Sequence, residues 1–220
     1  MLCFTTVYVI LIKILINNSN FNGAFMLDFI FIIGTSGIGK TTLSKRLLDY
    51  YKTVILEQNM VPEFISRDGV EEMTGELEER TCYENIKAMA LCFHNLGYKN
   101  IIVTDLDDLR TADIPIDFRY YKFITLKLIC SDIVQLQNQM KNRPNGGLID
   151  YDLQKKCNDK VMGRPLLPNE YLIDITGKDE ETVLKEAISI LQNAVPDSDY
   201  NYTKPEKELF YSWIFSNGLR

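Results

Sequence analysis

Apolar residues along this 220-residue chain fall into two patterns: short unbroken runs, and longer stretches in which they recur every three or four positions. An unbroken run suits a strand buried on both faces, and the three-to-four spacing suits a helix laid on a sheet. Phe29-Ile30-Phe31-Ile32-Ile33 is predicted as the first strand, and Leu43, Leu47 and Tyr51 mark the inner stripe of the helix after it. Thr53-Val54-Ile55-Leu56 reads as a second strand ending at Glu57. Residues 59–75 carry mixed signals around Pro62, Gly69 and Gly75. Residues 76–96 then form a helix with Leu77, Ile86, Met89, Ala90 and Phe93 inward, stopped at Gly97.

Ile101-Ile102-Val103-Thr104-Asp105 is a third strand closed by an acid, followed by a polar segment with Asp107, Asp108, Arg110, Asp113 and Pro115. A fourth strand covers residues 123–129, and Ser131 or Asp132 caps the next helix, which runs to about Asn142. Pro144-Asn145-Gly146-Gly147 breaks that helix, and a polar connection with Lys155, Lys156, Lys160 and Arg164 leads to Pro168. Tyr171-Leu172-Ile173-Asp174 is the fifth strand, and Thr176 caps a last helix over residues 180–193. Such alternation predicts a three-layer α/β/α fold with a five-stranded parallel sheet and right-handed crossovers.

The two ends stand apart from this core. Residues 1–16 are nearly all apolar, yet fall short of the roughly 20 residues that a spanning helix needs. No basic stretch precedes them, as a signal peptide would require. The expectation is an N-terminal extension, 1–25, outside a core domain at 26–194, with a short membrane-associating anchor as the alternative and no membrane span. Residues 195–220 are read as a Pro-punctuated, aromatic tail that docks on the parent domain. Leu209, Phe210, Trp213 and Ile214 could form one helical face there, with a partner-binding patch as the alternative.

Composition narrows the function. The net charge of −6 argues against general nucleic-acid binding, although a local basic pocket is compatible with it. Five scattered cysteines, with no C-x-x-C pair, read as reduced thiols of a cytoplasmic protein without a zinc site or a disulfide framework. His94, the single histidine, has no catalytic partner in the sequence.

The sharpest chemistry lies between the first strand and its helix. Gly34-Thr35-Ser36-Gly37-Ile38-Gly39-Lys40-Thr41 fits G-x-x-x-x-G-K-[ST] at every fixed position. In a strand–loop–helix context such a run turns successive backbone N–H groups toward an anion, with the positive helix end behind them. The candidate phosphate-binding set is Gly34, Thr35, Ser36, Gly37, Ile38, Gly39, Lys40, Thr41 and Thr42. Lys40 is placed on the outer phosphates, and the Thr41 hydroxyl on Mg²⁺. Asp105 ends its strand at the sheet edge where ligands of parallel sheets bind, and is a candidate for holding Mg²⁺ or accepting a substrate proton. Asp107 and Glu57 are the other candidate acids.

With these residues the chain resembles the P-loop kinases of the nucleotide/shikimate/gluconate kinase type over about residues 26–194. The resemblance rests on the loop motif, five strands in βα alternation, the acid after the third strand, and an arginine before a polar insert. It implies ATP and Mg²⁺ as cofactors and a small-molecule phosphoryl acceptor. It also implies a lid at about 143–165, with Arg143 in a catalytic role and Arg164 binding the nucleotide phosphates, and an adenine seated near Asp174-x-Thr176. The acceptor stays open. Arg67, Arg80 and Arg110 would suit a nucleoside monophosphate, whereas Asp105, Asp107 and Asp108 lean toward a hydroxyl compound. Neither the Gly-Gly-rich loop of a shikimate kinase nor the Gly-Phe-Pro-Arg segment of an adenylate kinase is present. The alternatives are an ATP-binding regulatory or assembly module with little turnover, and a GTPase switch. The switch is disfavoured because Cys130-Ser131-Asp132 stands where [NT]-K-x-D is expected.

Overall fold

A computed structural model describes residues 26–60, 75–106, 108–142 and 150–205. The N-terminal extension, the aromatic face at 209–214, Arg67, Asp107 and Arg143 therefore lie outside the described residues.

Five strands form one sheet: β1 Phe29–Ile33, β2 Ile55–Glu57, β3 Ile101–Thr104, β4 Phe123–Ile129 and β5 Glu170–Asp174. Their order is β2-β3-β1-β4-β5 and every pairing is parallel. β1 is central, in register with Ile101–Thr104 on one side and with β4 on the other. All five of its residues are buried. Because side chains alternate across a strand, Ile30 and Ile32 face one layer and Phe29 and Phe31 the other.

Each layer is a separate core. Ile30, Ile32, Ile124 and Leu126 pack with Leu43 and Leu47 of α1 (Lys40–Tyr51) and with Ala187 and Leu191 of the C-terminal helix. Phe29, Phe31, Val103 and Phe123 pack with Tyr83, Ile86 and Ala90 of α2 (Gly75–Asn95). Phe118 stands edge-on to Phe29 and Phe31, with ring centroids 4.8 and 4.9 Å apart. The three-layer parallel architecture is thus the one the apolar pattern predicts. Gly97 also stops α2 as expected. At φ 96° it closes a Schellman turn, with Tyr98 N–H donating to Phe93 C=O and Gly97 N–H to His94 C=O.

Three details differ from the sequence reading. The polar segment after β3 folds into two short helices, α3 (Asp108–Thr111) and α4 (Ile114–Asp117). The connection expected up to Pro168 contains a helix, α6 (Tyr151–Gly163), which follows α5 (Ile133–Lys141) and is capped by Asp150, whose carboxylate accepts from Leu153 N–H at 2.9 Å. Its buried face is Gln154, Asn158 and Val161. The spacing is helical, but two of the three are amides, so the apolar pattern is hidden. The last helix, α7 (Glu180–Asn193), is capped by Asp179 rather than Thr176. Thr176 instead donates to Asp174 at 2.6 Å and accepts from Ser131 N–H at 2.8 Å, which joins the ends of β4 and β5.

The described part of the tail lies on the domain. Tyr200 Oη donates to Pro115 C=O at 2.6 Å and Tyr202 Oη to Ala112 C=O at 2.9 Å. Lys204 pairs with Asp113. No helix among the described residues is long and apolar enough to cross a membrane.

Candidate phosphate-binding site

The site grows from the end of the central strand. β1 stops at Ile33 and α1 starts at Lys40, and the six residues between carry glycines at φ 146° (Gly34), 81° (Gly37) and 98° (Gly39). Positive φ at three of six positions coils the loop, a bend that side-chain-bearing residues rarely tolerate. The loop opens into a cleft of about 510 Å³. Gly37–Lys40, Thr41, Thr42 and Asp105 line one part of it, and Gln139, Asn142, Ile175 and Lys178 another. The cleft sits at the C-terminal edge of the strands, where ligands of open parallel sheets bind.

Lys40 organises this cleft. Its ammonium donates to Gly34 C=O at 3.0 Å and Thr35 C=O at 3.1 Å, and pairs with Asp105 Oδ1 at 3.1 Å. Three acceptors match the three protons of the ammonium. Both side chains are largely enclosed, 9% exposed for Lys40 and 15% for Asp105. Asp105 adopts φ 63°, a left-handed conformation unusual for a residue with a side chain. β3 therefore delivers an acid onto the loop lysine from 65 positions away along the chain. Thr41 lines the same cleft. A hydroxyl and a carboxylate are the hard oxygen donors that Mg²⁺ prefers, so this pair fits that ion. Among the described residues no group of three or more His, Cys, Asp or Glu could form a metal site of its own.

Glu57 ends β2 and is aligned with Thr104, the residue before Asp105. Burial, reinforced by the negative charge of Asp105, pushes its carboxyl above the usual glutamate range against the pull of Lys45 and Lys40. Glu57 does not line the cleft itself; its neighbour Asp105 does. Of the arginines considered for an acceptor, Arg80 is exposed on α2, and Arg110 is tied to Asp113 at 3.1 Å.

Arg164, expected on the phosphates, is engaged elsewhere. Its guanidinium grips Glu170 with two bonds of 2.7 Å, and the two side chains are 6% and 0% exposed. Glu170 opens β5, so the pair lies at the edge of the sheet opposite the loop. Arg164 is also absent from the cleft lining. Its buried partner sets its task, because an isolated carboxylate there would be costly. Arg164→Ala should therefore lower stability by about 3 kcal/mol or more, while nucleotide affinity stays within about twofold. Thermal melts and calorimetric titration read the two effects separately.

Lys155 pairs with Asp159 at 2.5 Å on the solvent face of α6, as expected of a solvated surface. One polar contact to the loop has no counterpart in the sequence reading: Gln154 of α6 donates to Ser36 C=O at 2.9 Å. A glutamine inside a polar stretch carries no signal that its amide closes on a loop 118 residues earlier.

No known family model matches the sequence, and no curated protein matches it. Solved structures match its fold. A gluconokinase from Sinorhizobium meliloti 1021 superposes with a TM-score of 0.55 at 15% identity, covering 74% of this chain and 90% of that one. A sugar kinase from Janibacter sp. HTCC2649 gives 0.54 at 19% identity, with 79% and 98% covered. The tunicamycin resistance protein of Deinococcus radiodurans gives 0.50 at 10% identity, with 77% and 98% covered. At these identities the likeness is one of fold. The chain has the fold of the P-loop nucleotide and small-molecule kinases.

Proposed function

We propose that this protein is an ATP-dependent kinase that transfers a γ-phosphoryl group to a small metabolite or nucleotide in the cytoplasm. The observation that carries the reading is the convergence of Gly37–Thr42, the Lys40 ammonium and Asp105 in one cleft at the C-terminal edge of the sheet. Phosphoryl transfer has a loose transition state with charge on peripheral oxygens, so catalysis is chiefly positioning and charge neutralisation. The amides of residues 34–42 and Lys40 hold the β- and γ-phosphates. Thr41 and Asp105 would hold Mg²⁺, which would supply further positive charge to those oxygens when bound. Arg143, which follows α5, supplies a lid charge in this reading.

The acceptor oxygen forms a bond to the γ-phosphorus as the bond from that phosphorus to the bridging oxygen breaks. ADP leaves with the electron pair. In this reading Glu57, whose carboxyl feels the charge of the neighbouring Asp105, takes the acceptor's hydroxyl proton. That favours a hydroxyl-bearing acceptor over a phosphate-bearing one. A coupled ADP-release assay over nucleotides, nucleosides, sugars and other small hydroxyl compounds tests this. Nucleotide binding with no acceptor-dependent ADP release would instead indicate a regulatory module.

Glu57 gives a second measurement. Folding raises its pKa, so the native protein holds that proton more tightly than the unfolded chain. The ionised carboxyl therefore costs stability at neutral pH, and the cost is lifted as pH falls through the raised value. Glu57→Gln should melt higher than the parent at pH 7, with the difference shrinking toward acid. Its turnover should fall by about 10²- to 10⁴-fold if Glu57 is the base. Equal melting temperatures at both pH values would remove the burden, and unchanged turnover would remove the role.

A further inference from the structure

Residues 34–41 can bind phosphate only if their N–H groups face the cleft, and the structure assigns the fixing of one such peptide to Gln154, as a positioning residue. This inference rests on the kinase reading above, since it concerns how the same loop is held.

Three contacts place Gln154 behind the loop. Its side-chain N–H group donates to Ser36 C=O at 2.9 Å and, at 3.4 Å, to Leu136 C=O of α5. Its own backbone C=O accepts a longer bond of 3.5 Å from Thr35 Oγ1. The residue is 2% exposed, so no water competes for these partners. Gln154 thereby joins the glycine-rich loop to helices α5 and α6.

The consequence follows from peptide geometry. In a planar trans peptide the C=O and the N–H of the next residue point to opposite sides. Holding Ser36 C=O back toward α6 turns the Gly37 N–H the other way, and Gly37 lines the cleft. Gly37 is the residue that permits this contact. It sits at φ 81°, and a Cβ there would lie 2.9 Å from the Gln154 nitrogen. Without the glutamine, the Ser36–Gly37 peptide could rotate and present its carbonyl to the anion, which would repel it.

A packing role alone leads to a different expectation. The Gln154 Oε1 is buried with no hydrogen-bond partner among the described residues. A side chain retained for stability alone would be better replaced by an apolar one of the same length, since an unsatisfied buried oxygen is unfavourable. Gln154→Met keeps the length, deletes the donor and removes that oxygen. Gln154→Glu keeps the shape and replaces the donating nitrogen by oxygen.

The test titrates wild type and both variants with inorganic pyrophosphate and with MgATP by calorimetry, and records thermal melts. The expected result is a Kd at least about tenfold higher for both ligands in both variants. The Met variant should melt within about 4 °C of wild type, the scale of a small stability change. Wild-type affinities in either folded variant would overturn the assignment. So would loss of cooperative unfolding in both variants, which would make Gln154 a core residue and nothing more. If wild type bound neither ligand, the kinase reading would fail first and take this one with it. If wild type binds and the variants bind equally, the positioning role alone fails.

Discussion

Lys40→Ala is expected to abolish turnover while leaving a folded protein. Among the described residues of the native cleft, this ammonium is the cation joined to both the loop carbonyls and Asp105. In the transition state it would face the transferring group, where a preorganised charge is worth far more than in water. Removing a single preorganised donor from such a site costs about 10²- to 10³-fold. A full charge on the γ-phosphate should cost about 10³-fold or more by the same reasoning.

The fold should survive for three reasons. Lys40 begins α1, where alanine is the best helix former. The lost side chain borders a solvent-open cleft, so water can reach Asp105 and replace part of the lost pairing. Neither apolar core cluster includes either residue. Turnover, MgATP calorimetry and circular dichroism on the same sample separate the two effects. Activity at the wild-type level would sink the phosphate-loop assignment. Loss of the helical signal would show that the Lys40–Asp105 pair is structural.

Gly34→Ala is the second large effect, and it strikes stability as well as function. Gly34 adopts φ 146°, and an added Cβ would lie 2.7 Å from Leu128 C=O and 3.0 Å from Ile38 Cγ2. Leu128 belongs to β4 and is 1% exposed, held between β1 and β5. A backbone oxygen in mid-sheet cannot yield, so the loop must move, and the first amides of the phosphate site move with it. A steric clash and a strained backbone each cost about 1–3 kcal/mol, so about 3 kcal/mol or more is expected. For a domain of this size that lowers Tm by about 6–12 °C.

Gly39→Ala is the internal comparison. It is also at positive φ, 98°, but no atom of the described residues lies within 4 Å of its added Cβ. Only conformational strain of about 1–2 kcal/mol applies there. The Gly34 variant should therefore melt well below the Gly39 variant. Equal losses would mean that backbone strain alone, and not the approach of β4, governs the loop.

These experiments probe features that are legible in the sequence to different degrees. β1 and β4 have the predicted bounds, because unbroken runs such as Phe29–Ile33 admit few readings other than a strand buried on both faces. The loop motif is legible because it is local: its glycines, lysine and threonine fall within eight consecutive positions. Helix α6 is not, because burial there is carried by Gln154 and Asn158, whose hydrogen bonds to Ser36 and Cys130 make amides as inward-facing as leucines. Arg164 reads as a phosphate ligand in the sequence because a charge does not name its partner. Glu170, six positions on, opens β5 and draws the arginine to the far edge of the sheet.

The sequence by itself determined the alternation of strands and helices, the parallel three-layer arrangement and the position of the glycine-rich loop. These follow from side-chain periodicity and from the backbone freedom of glycine, both of which act over a few neighbouring residues. Only the tertiary structure decided that β3 lies beside β1, so that Asp105 meets Lys40, that Glu57 is aligned next to that acid, and that Gln154 backs the loop. Those contacts join residues tens of positions or more apart through strand order and helix packing, which many sequences with the same local pattern could arrange differently.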